Sequence, residues 1–217
     1  MEGDAVSGVF ITFEGGDGSG KTTQILRLAS ALREVGCEPL LLREPGGTVV
    51  GEGVRDILLD PRHEGLDPVA ETLLFAASRA QLSATVIKPA LDAGRVVICD
   101  RYADSTVAYQ GYGRGLDLDT VRGVNAWATR GLVPDCTILL DVDPAEGIAA
   151  ATPAEADRLE REEIAFHARI RAGYLQMAQA EPERWTVIKR DRADVVWAAL
   201  VAALAPVLER AGIRLEA

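Results

Sequence analysis

Short apolar runs alternate along this chain with longer stretches in which apolar residues recur every three or four positions. The short runs are rich in β-branched and aromatic residues, which favour strands. The longer stretches have the spacing of amphipathic helices. This pattern predicts strands at residues 9–13, 39–42, 95–99, 136–140 and 185–188, and helices at 23–35, 67–86, 119–130, 164–180 and 195–208.

Local signals mark several of these boundaries. Gly36 and Gly131 follow predicted helices, where glycine commonly ends a helix. Asp67 and Pro68 are typical of a helix start, with an N-cap carboxylate followed by proline in the first turn. Pro89 is expected to kink or end the helix that begins at Asp67 and Pro68.

The predicted strands are apolar throughout, which is typical of a parallel sheet covered on both faces. Strands that alternate with helices indicate a doubly wound α/β fold. We therefore predict a five-stranded parallel sheet with helices on both faces, in a single domain over residues 1–217. Residues 144–163 are polar and alanine-rich and do not suit a core, so we interpret them as a short, mobile lid insert.

Composition excludes several classes of function. The chain has 217 residues, with 23 Lys and Arg against 33 Asp and Glu, which gives a net charge of −10. A chain this acidic does not suit non-specific nucleic-acid binding or a polybasic membrane contact. No apolar run reaches the roughly 18 residues of a membrane span, and Glu2 and Asp4 stand where a signal peptide would carry positive charge. We expect a cytoplasmic protein with no nucleic-acid or membrane partner.

A phosphate-binding motif follows the first predicted strand. Residues 15–22 read Gly-Gly-Asp-Gly-Ser-Gly-Lys-Thr, which fits the P-loop pattern G-x-x-x-x-G-K-[ST]. Glycines let backbone N–H groups turn towards phosphate oxygens at the positive end of the following helix. Lys21 is placed to reach the β- and γ-phosphates, and Thr22 to ligate Mg²⁺. The motif predicts a P-loop NTPase fold with an ATP site formed by Gly15, Gly16, Asp17, Gly18, Ser19, Gly20, Lys21 and Thr22.

The P-loop alone does not identify the reaction. GTPases need an N-K-x-D motif to read the base, and here Asn125, the one asparagine, is followed by alanine. A small phosphotransferase remains, and it must hold two phosphates in line and neutralise the transferred group. Arg101 suits this role because it follows the third predicted strand, and ligands bind at strand C-termini in such sheets. Phe75 and Arg79 share a helix face and could receive a flat base, although on spacing alone a core phenylalanine and a surface arginine are the simpler interpretation.

Five motifs extend this signal over nearly the whole chain. They are FEGGDGSGKTT at 13–23, REPGGT at 43–48, LFAASR at 74–79, DRYADSTVAYQG at 100–111 and DRLE at 157–160. With these motifs the chain closely resembles the bacterial type of thymidylate kinase (dTMP kinase), a family of P-loop nucleoside monophosphate kinases. Five motifs in the same order are far more specific than the P-loop alone.

The resemblance implies roles at the base and the sugar. Phe75 resembles the residue that stacks on thymine, and Arg79 resembles the donor to its O4 edge. Thr106 and Gln110 resemble the polar contacts near the base. Tyr109 resembles a ring that crowds the sugar 2′ position and so excludes ribose.

The resemblance also implies roles at the phosphates. Asp17 resembles a carboxylate that meets the sugar 3′-OH or a magnesium-bound water, Arg101 a clamp between donor and acceptor, and Arg158 a lid arginine that closes on ATP. The implied catalytic residues are Asp17, Lys21, Arg101 and Arg158, and the implied magnesium ligands are Thr22 and Asp17, partly through water. The implied dTMP site comprises Asp17, Glu44, Pro45, Arg55, Phe75, Arg79, Arg101, Ser105, Thr106, Tyr109 and Gln110.

The implied reaction is ATP + dTMP → ADP + dTDP, a step of dTTP synthesis that uses Mg²⁺. It needs no protein nucleophile, because the acceptor phosphate oxygen attacks the γ-phosphorus in line. The resemblance also implies a homodimer.

The chain departs from this family in its cations. The bacterial type usually has several arginines in the lid, and other members carry one inside the P-loop. Here residues 147–155 contain no arginine, and Gly18 occupies the P-loop position. Either Arg158, Arg161 or Arg101 supplies the missing charge, or turnover is reduced, and an added arginine is worth about 10³–10⁵ in rate in related systems. We expect Arg158 to carry most of the lid's contribution.

Three functions remain open. The first is a dTMP kinase. The second is another nucleoside or nucleotide kinase with a different acceptor, although Tyr102 after Asp100-Arg101 does not match the D/E-R-S motif of deoxynucleoside kinases. The third is a nucleotide-binding protein with little or no turnover, which ATP and dTMP would stabilise without forming product.

Overall fold

The computed structural model describes residues 8–150 and 157–215. Its centre is a sheet of five parallel strands in the order β2-β3-β1-β4-β5. The strands are β1 (Val9–Glu14), β2 (Leu40–Arg43), β3 (Val96–Asp100), β4 (Cys136–Asp141) and β5 (Trp185–Lys189). The predicted five-stranded parallel sheet is confirmed, with every strand boundary within one residue of its predicted position.

Helices cover both faces of this sheet. They are α1 (Lys21–Glu34), α2 (Val49–Leu59), α3 (Pro68–Leu82), α4 (Lys88–Asp92), α5 (Ala103–Thr106), α6 (Leu118–Thr129), α7 (Pro144–Ala150), α8 (Ile164–Ala180) and α9 (Ala193–Arg210). Shorter helical turns lie at Pro61–His63, Ser83–Ile87 and Val107–Gly113, the last two with π-helical geometry. Within the described ranges, no helix combines the length and the apolar character that crossing a membrane requires.

The central strand β1 shows why the sheet is covered on both sides. Its successive side chains point to opposite faces. Ile11 and Phe13 pack with α1 and α9, whereas Phe10 packs with the other face against Tyr102 and the helical segment that follows α3. Because β1 is buried throughout, its C-terminal end is held rigidly where the P-loop begins.

Pro89 does not end the helical path, and the prediction that it kinks its helix stays a prediction. Helix α3 passes through the π-helical turn into α4, which continues to Asp92. Pro89 lies in the first turn of α4, where a missing N–H is tolerated. The wider turn before it is closed by the N–H of Lys88, which donates to the carbonyl of Ser83.

Helix α2 was not predicted. It contains Gly51 and Gly53 and begins with two valines, and these residues have low helix propensity. The Thr48 hydroxyl accepts from the Gly51 N–H and caps the first turn. Helix α2 also packs along α3, so tertiary contact outweighs propensity here.

The expected lid at 144–163 is only partly a polar insert. Its first residues form α7, and its last residues lead into α8. Arg158 and Leu159 are buried, which contradicts the expectation that this stretch does not suit a core. Residues 151–156 of the expected lid lie outside the described residues.

Candidate active site

The P-loop connects β1 to α1 and depends on glycine at Gly15. This residue has φ 137°, and a Cβ there would lie 2.5 Å from the Leu140 carbonyl oxygen of β4. No L side chain fits such an approach without moving the strand. The start of the loop is therefore packed closely against β4 at the carboxyl end of the sheet.

Lys21 is the cation at the bottom of this loop. Its Nζ donates to the carbonyl oxygens of Gly15 at 3.0 Å and Gly16 at 2.9 Å. Burial and the nearby charge of Arg101 lower the pKa of Lys21 to about 8. The charge of this lysine is therefore sensitive to mildly alkaline pH.

Helix α7 lies directly over the P-loop at Gly18. That residue has φ 66°, and a Cβ there would lie 2.1 Å from the Gly147 carbonyl oxygen. A Cβ on Gly147 would in turn lie 2.5 Å from the carbonyl oxygen of Asp17. The P-loop position at which some family members carry an arginine consequently has no room for a side chain in this structure.

Two adjoining cavities open beside the P-loop. A cleft is lined by the loop residues from Asp17 to Thr22. A deeper cavity lies next to it. Residues that line both are Asp17, Glu44, Arg55, Arg101 and Glu160. This shared wall is where groups bound in the two cavities would meet.

Arg101 occupies the centre of the shared wall. Its Nη2 donates to Asp17 Oδ1 at 2.8 Å, and its guanidinium carbon lies 5.1 Å from the centre of the Tyr109 ring. Its backbone has φ 68°, and its N–H donates to the Phe13 carbonyl at the end of β1. A left-handed conformation is uncommon for arginine, and here it turns the side chain from the end of β3 into the site.

Asp17 is held as an anion by its neighbours. Burial alone would raise the pKa of Asp17, but the charges of Arg101 and Lys21 bring it below its usual value. Asp17 lies 21% exposed on the wall between the cavities. Asp17 therefore carries a negative charge on the wall that the two cavities share.

The deeper cavity brings together most residues predicted for the acceptor site. Of the eleven predicted residues, ten line it, the exception being Arg79. Three buried polar atoms on its wall have no hydrogen-bond partner among the described residues: Glu44 Oε1, Thr106 Oγ1 and Tyr109 Oη. Buried polar atoms are nearly always paired in folded proteins. Three residues of this wall therefore keep hydrogen-bonding capacity that no described protein group uses.

The sequence and the fold are similar to those of known proteins. The thymidylate kinase family model matches residues 13–196. The thymidylate kinase of Deinococcus radiodurans is 49% identical over 199 residues, covering 89% of this chain and 96% of that protein. The thymidylate kinase of Solidesulfovibrio magneticus is 54% identical over 188 residues, covering 83% and 90%. The chain belongs to the thymidylate kinase family.

A solved structure supports the same assignment. The crystal structure of thymidylate kinase from Ehrlichia chaffeensis has a TM-score of 0.74 and 38% sequence identity, and the match covers 91% of this chain and 99% of that one. The predicted P-loop NTPase fold is thereby confirmed, as is the prediction of a kinase of this family.

The deeper cavity is called the acceptor cavity below, after the acceptor-site residues that line it. Arg79 lies outside its wall. Its guanidinium is buried and bound by protein groups, donating to Glu44 Oε2 at 2.8 Å, Asn125 Oδ1 at 2.7 Å and the Tyr102 carbonyl at 3.1 Å. Burial raises the pKa of Glu44 to about 7, although Arg79 opposes the shift. The structure thus places Arg79 behind Glu44, and its expected contact with the thymine O4 edge stays a prediction.

Arg158 also lies away from the P-loop. Its Nε donates to the Leu58 carbonyl at 2.9 Å, and its Nη2 forms an ion pair with Glu71 Oε2 at 2.5 Å. Only 2% of its side chain is exposed. Arg158 therefore ties the DRLE segment to α2 and α3, and the structure does not bring it to the cleft beside the P-loop.

The carboxylates of the same motif were missed by the sequence interpretation. Asp157 and Glu160 line the acceptor cavity, and Glu160 also lines the P-loop cleft. They flank Arg158 in the DRLE motif. The motif therefore indicated that this segment belongs to the site, but the resemblance assigned the site role to the arginine. Arg43 was also missed, and it lines the cleft beside the P-loop.

Oxygen donors in the cleft fit a magnesium ion. Thr22 and Asp100 line it together with Asp17, and Asp100 Oδ1 is buried without a hydrogen-bond partner among the described residues. Hydroxyl and carboxylate oxygens are the ligands that Mg²⁺ prefers, and it commonly keeps several waters and uses substrate phosphates. Over residues 8–150 and 157–215, no three His, Cys, Asp or Glu side chains come together as a self-sufficient metal site.

Proposed function

We propose that this protein transfers the γ-phosphoryl group of ATP to dTMP, giving ADP and dTDP. The observation that carries the proposal is the acceptor cavity, in which ten predicted dTMP-site residues line one space that adjoins the P-loop cleft. Membership of the thymidylate kinase family identifies the class of acceptor. The shared wall lets a phosphate in each cavity approach the other.

The transfer requires positioning and charge neutralisation. An oxygen of the dTMP phosphate attacks the γ-phosphorus as the bond to the ADP oxygen breaks, so no protein nucleophile is needed. Arg101 lies between the two cavities, where negative charge spreads over the transferred group. Lys21 reaches the donor phosphates from the P-loop. Arg55, whose Nη1 donates to the Pro45 carbonyl at 3.0 Å, faces the acceptor phosphate.

The far end of the acceptor cavity receives the nucleoside. Phe75 lines it as an aromatic wall on which a planar base can stack. Tyr109 is buried between Arg101 and Phe166, which fixes its ring beside the sugar position. A fixed ring there leaves no space for a 2′-hydroxyl, so the site favours a deoxyribose.

Magnesium is the cofactor we propose for this reaction. Thr22 would hold it, with Asp100 and Asp17 as oxygen donors directly or through water. When bound, it would neutralise charge on the ATP phosphates. The protein side of the site provides the oxygen ligands and the backbone N–H groups of the P-loop.

Turnover on a panel of acceptors tests the proposal. Purified protein with Mg·ATP is given dTMP, dUMP, UMP, dCMP or AMP, and ADP release is measured. We expect fast turnover on dTMP, weaker turnover on dUMP and little on the others. If no acceptor is phosphorylated while dTMP raises the melting temperature, the protein is a nucleotide-binding member of the family without turnover.

We also propose a homodimer formed through the α2, α3 and α6 face. Val69 and Leu73 share a face of α3 and are 54% and 52% exposed, and Trp127 on α6 is 84% exposed. Helix α3 packs against both α2 and α6, so these exposed residues lie on neighbouring helices. Exposed apolar residues grouped on one side are typical of protein interfaces.

A charge on this face should separate the protomers. Leu73→Glu is expected to reduce the mass measured by sedimentation velocity from two chains to one, because a carboxylate cannot be buried unpaired in an apolar interface. Val195→Glu, at a position of α9 that is 48% exposed, is the matched control and should leave the mass unchanged. A wild-type protein that sediments as one chain contradicts the dimer.

The expected cytoplasmic location stays a prediction.

A further inference from the structure

Glu71 is a fully buried carboxylate on α3 that the proposed reaction does not use. Its Oε1 accepts from Gln110 Nε2 at 2.8 Å, and its Oε2 pairs with Arg158 at 2.5 Å. Arg114 donates to both oxygens, each at 3.2 Å. Glu71 lies one helical turn before Phe75, so it stands directly behind the nucleoside end of the acceptor cavity.

We propose that Glu71 determines which pyrimidine the site accepts, by fixing the orientation of the Gln110 side-chain amide. This inference rests on the proposed function and assigns a positioning residue to it. A carboxylate accepts hydrogen bonds and does not donate them, so the amide atom beside Glu71 must be Nε2. Because Gln110 lines the cavity, Oε1 is the amide atom that faces the ligand.

The orientation matters because pyrimidine bases differ at N3. Thymine and uracil carry an N3–H, which donates a hydrogen bond. Cytosine carries a lone pair at N3, which accepts one. An oxygen of Gln110 pairs with the first type and repels the second. Thr106 also lines the cavity, but its hydroxyl can donate or accept and does not discriminate between them.

Burial makes this orientation stable. Gln110 is 1% exposed and Glu71 is 0% exposed, so neither can replace a lost partner with bulk water. If the amide reversed, the oxygens of Gln110 and Glu71 would face each other without a proton between them. Leaving a buried polar group unpaired costs more than a typical hydrogen bond contributes. Discrimination at N3 therefore depends on a residue that touches no substrate.

Glu71→Gln tests this dependence. Arg158 and the Nη2 of Arg114 hold the oxygen of the new amide at the Oε2 position, so its NH₂ turns towards Gln110 and the bond from Arg114 Nε to Oε1 is lost. The Gln110 amide then reverses to accept this bond and presents Nε2 to the cavity. We expect the ratio of kcat/KM for dTMP to that for 5-methyl-dCMP to fall by about 10- to 100-fold. The two substrates share the sugar, the phosphate and the 5-methyl group and differ only at N3 and at the exocyclic group on C4, so the ratio reports recognition of that edge of the base.

Glu162→Gln is the matched control. Glu162 Oε1 pairs with Arg114 Nη1 at 2.5 Å, so the substitution removes the same charge from the same arginine without touching Gln110. Its selectivity ratio should equal that of the wild type. Thermal melting establishes that each variant is folded. If Glu71→Gln does not fold, Glu71→Asp keeps a carboxylate against Arg158 but withdraws it from Gln110, and a smaller fall in the same ratio is expected.

The outcomes separate this inference from the proposed function. A wild-type protein that fails to phosphorylate dTMP overturns the proposed function, and this inference with it. A wild-type protein that prefers dTMP, together with a folded Glu71 variant of unchanged ratio, overturns this inference alone. An equal loss of ratio in Glu162→Gln also overturns it, because the effect would then come from Arg114.

Discussion

Replacing Arg101 by alanine is expected to lower kcat for phosphoryl transfer to dTMP by about 10³-fold, since arginines that stabilise a transferred phosphoryl group are worth about 10³–10⁵ in rate. The guanidinium lies on the wall shared by the two cavities and is aimed there by Asp17 and the Tyr109 ring. It acts on charge that develops during transfer, so kcat should fall more than the KM for either substrate rises. Steady-state kinetics with each substrate varied in turn measures both effects.

Two further variants make the Arg101 result specific. Arg101→Lys keeps the charge but loses the planar fork, so an intermediate loss is expected. Arg122→Ala removes an arginine of α6 that is 52% exposed, and it should leave kcat at the wild-type value. Melting temperatures show whether the Arg101 variants are folded. A folded Arg101→Ala protein with less than about tenfold loss in kcat contradicts the central role that the shared wall gives this residue.

Arg101 is expected to have a large effect because the lid of this chain lacks the arginines that are usual in the family. Residues 147–155 contain no arginine, and the packing of Gly147 on Gly18 leaves no room for one in the P-loop. Arg158 pairs with Glu71 and faces away from the cleft. Arg101 and Arg55 line both cavities, and we propose that they carry the cationic function that lid or P-loop arginines have elsewhere in the family.

Features specified by short stretches of sequence could be predicted. The five strands are local apolar runs, and the P-loop is a local motif between a strand and a helix, so both could be located without knowledge of tertiary contacts. The acceptor residues could be predicted as a set only through the family resemblance. Gln110, for example, carries no local signal of a base-binding role, and the cavity it lines is assembled from segments that are distant in the chain.

Features that depend on distant partners could not be predicted. Arg158 was expected at the ATP site, but its ion-pair partner Glu71 lies on α3, and the carboxylates that flank Arg158 face the acceptor cavity instead. A role for Glu71 could not be predicted either, although Glu71 continues the stripe of Phe75 and Arg79 at a spacing of four residues. A carboxylate on a helix is ordinarily solvent-exposed, and only the fold shows that this one is buried.

Replacing Lys21 by alanine is expected to lower kcat by about 10²–10³-fold, the usual effect of removing one preorganised donor to a developing charge. Lys21 is one of three lysines in the chain, and its Nζ already lies on the Gly15 and Gly16 carbonyls, within the loop that would hold the ATP phosphates. The matched control is Lys88→Ala, which removes a lysine 61% exposed on α4 and should leave kcat unchanged.

The pH dependence of the wild-type protein gives an independent test of the same residue. Because the pKa of Lys21 is lowered to about 8, its charge is present below that pH and is lost above it. Since kcat/KM reports the ionisation of the free enzyme, kcat/KM for ATP should fall as the pH rises through about 8. Lys88→Ala should retain this fall, whereas the residual activity of Lys21→Ala should lack it. A wild-type profile that stays level to pH 10 would mean that Lys21 keeps its proton in the free enzyme, and an unchanged fall in Lys21→Ala would assign the ionisation to another group.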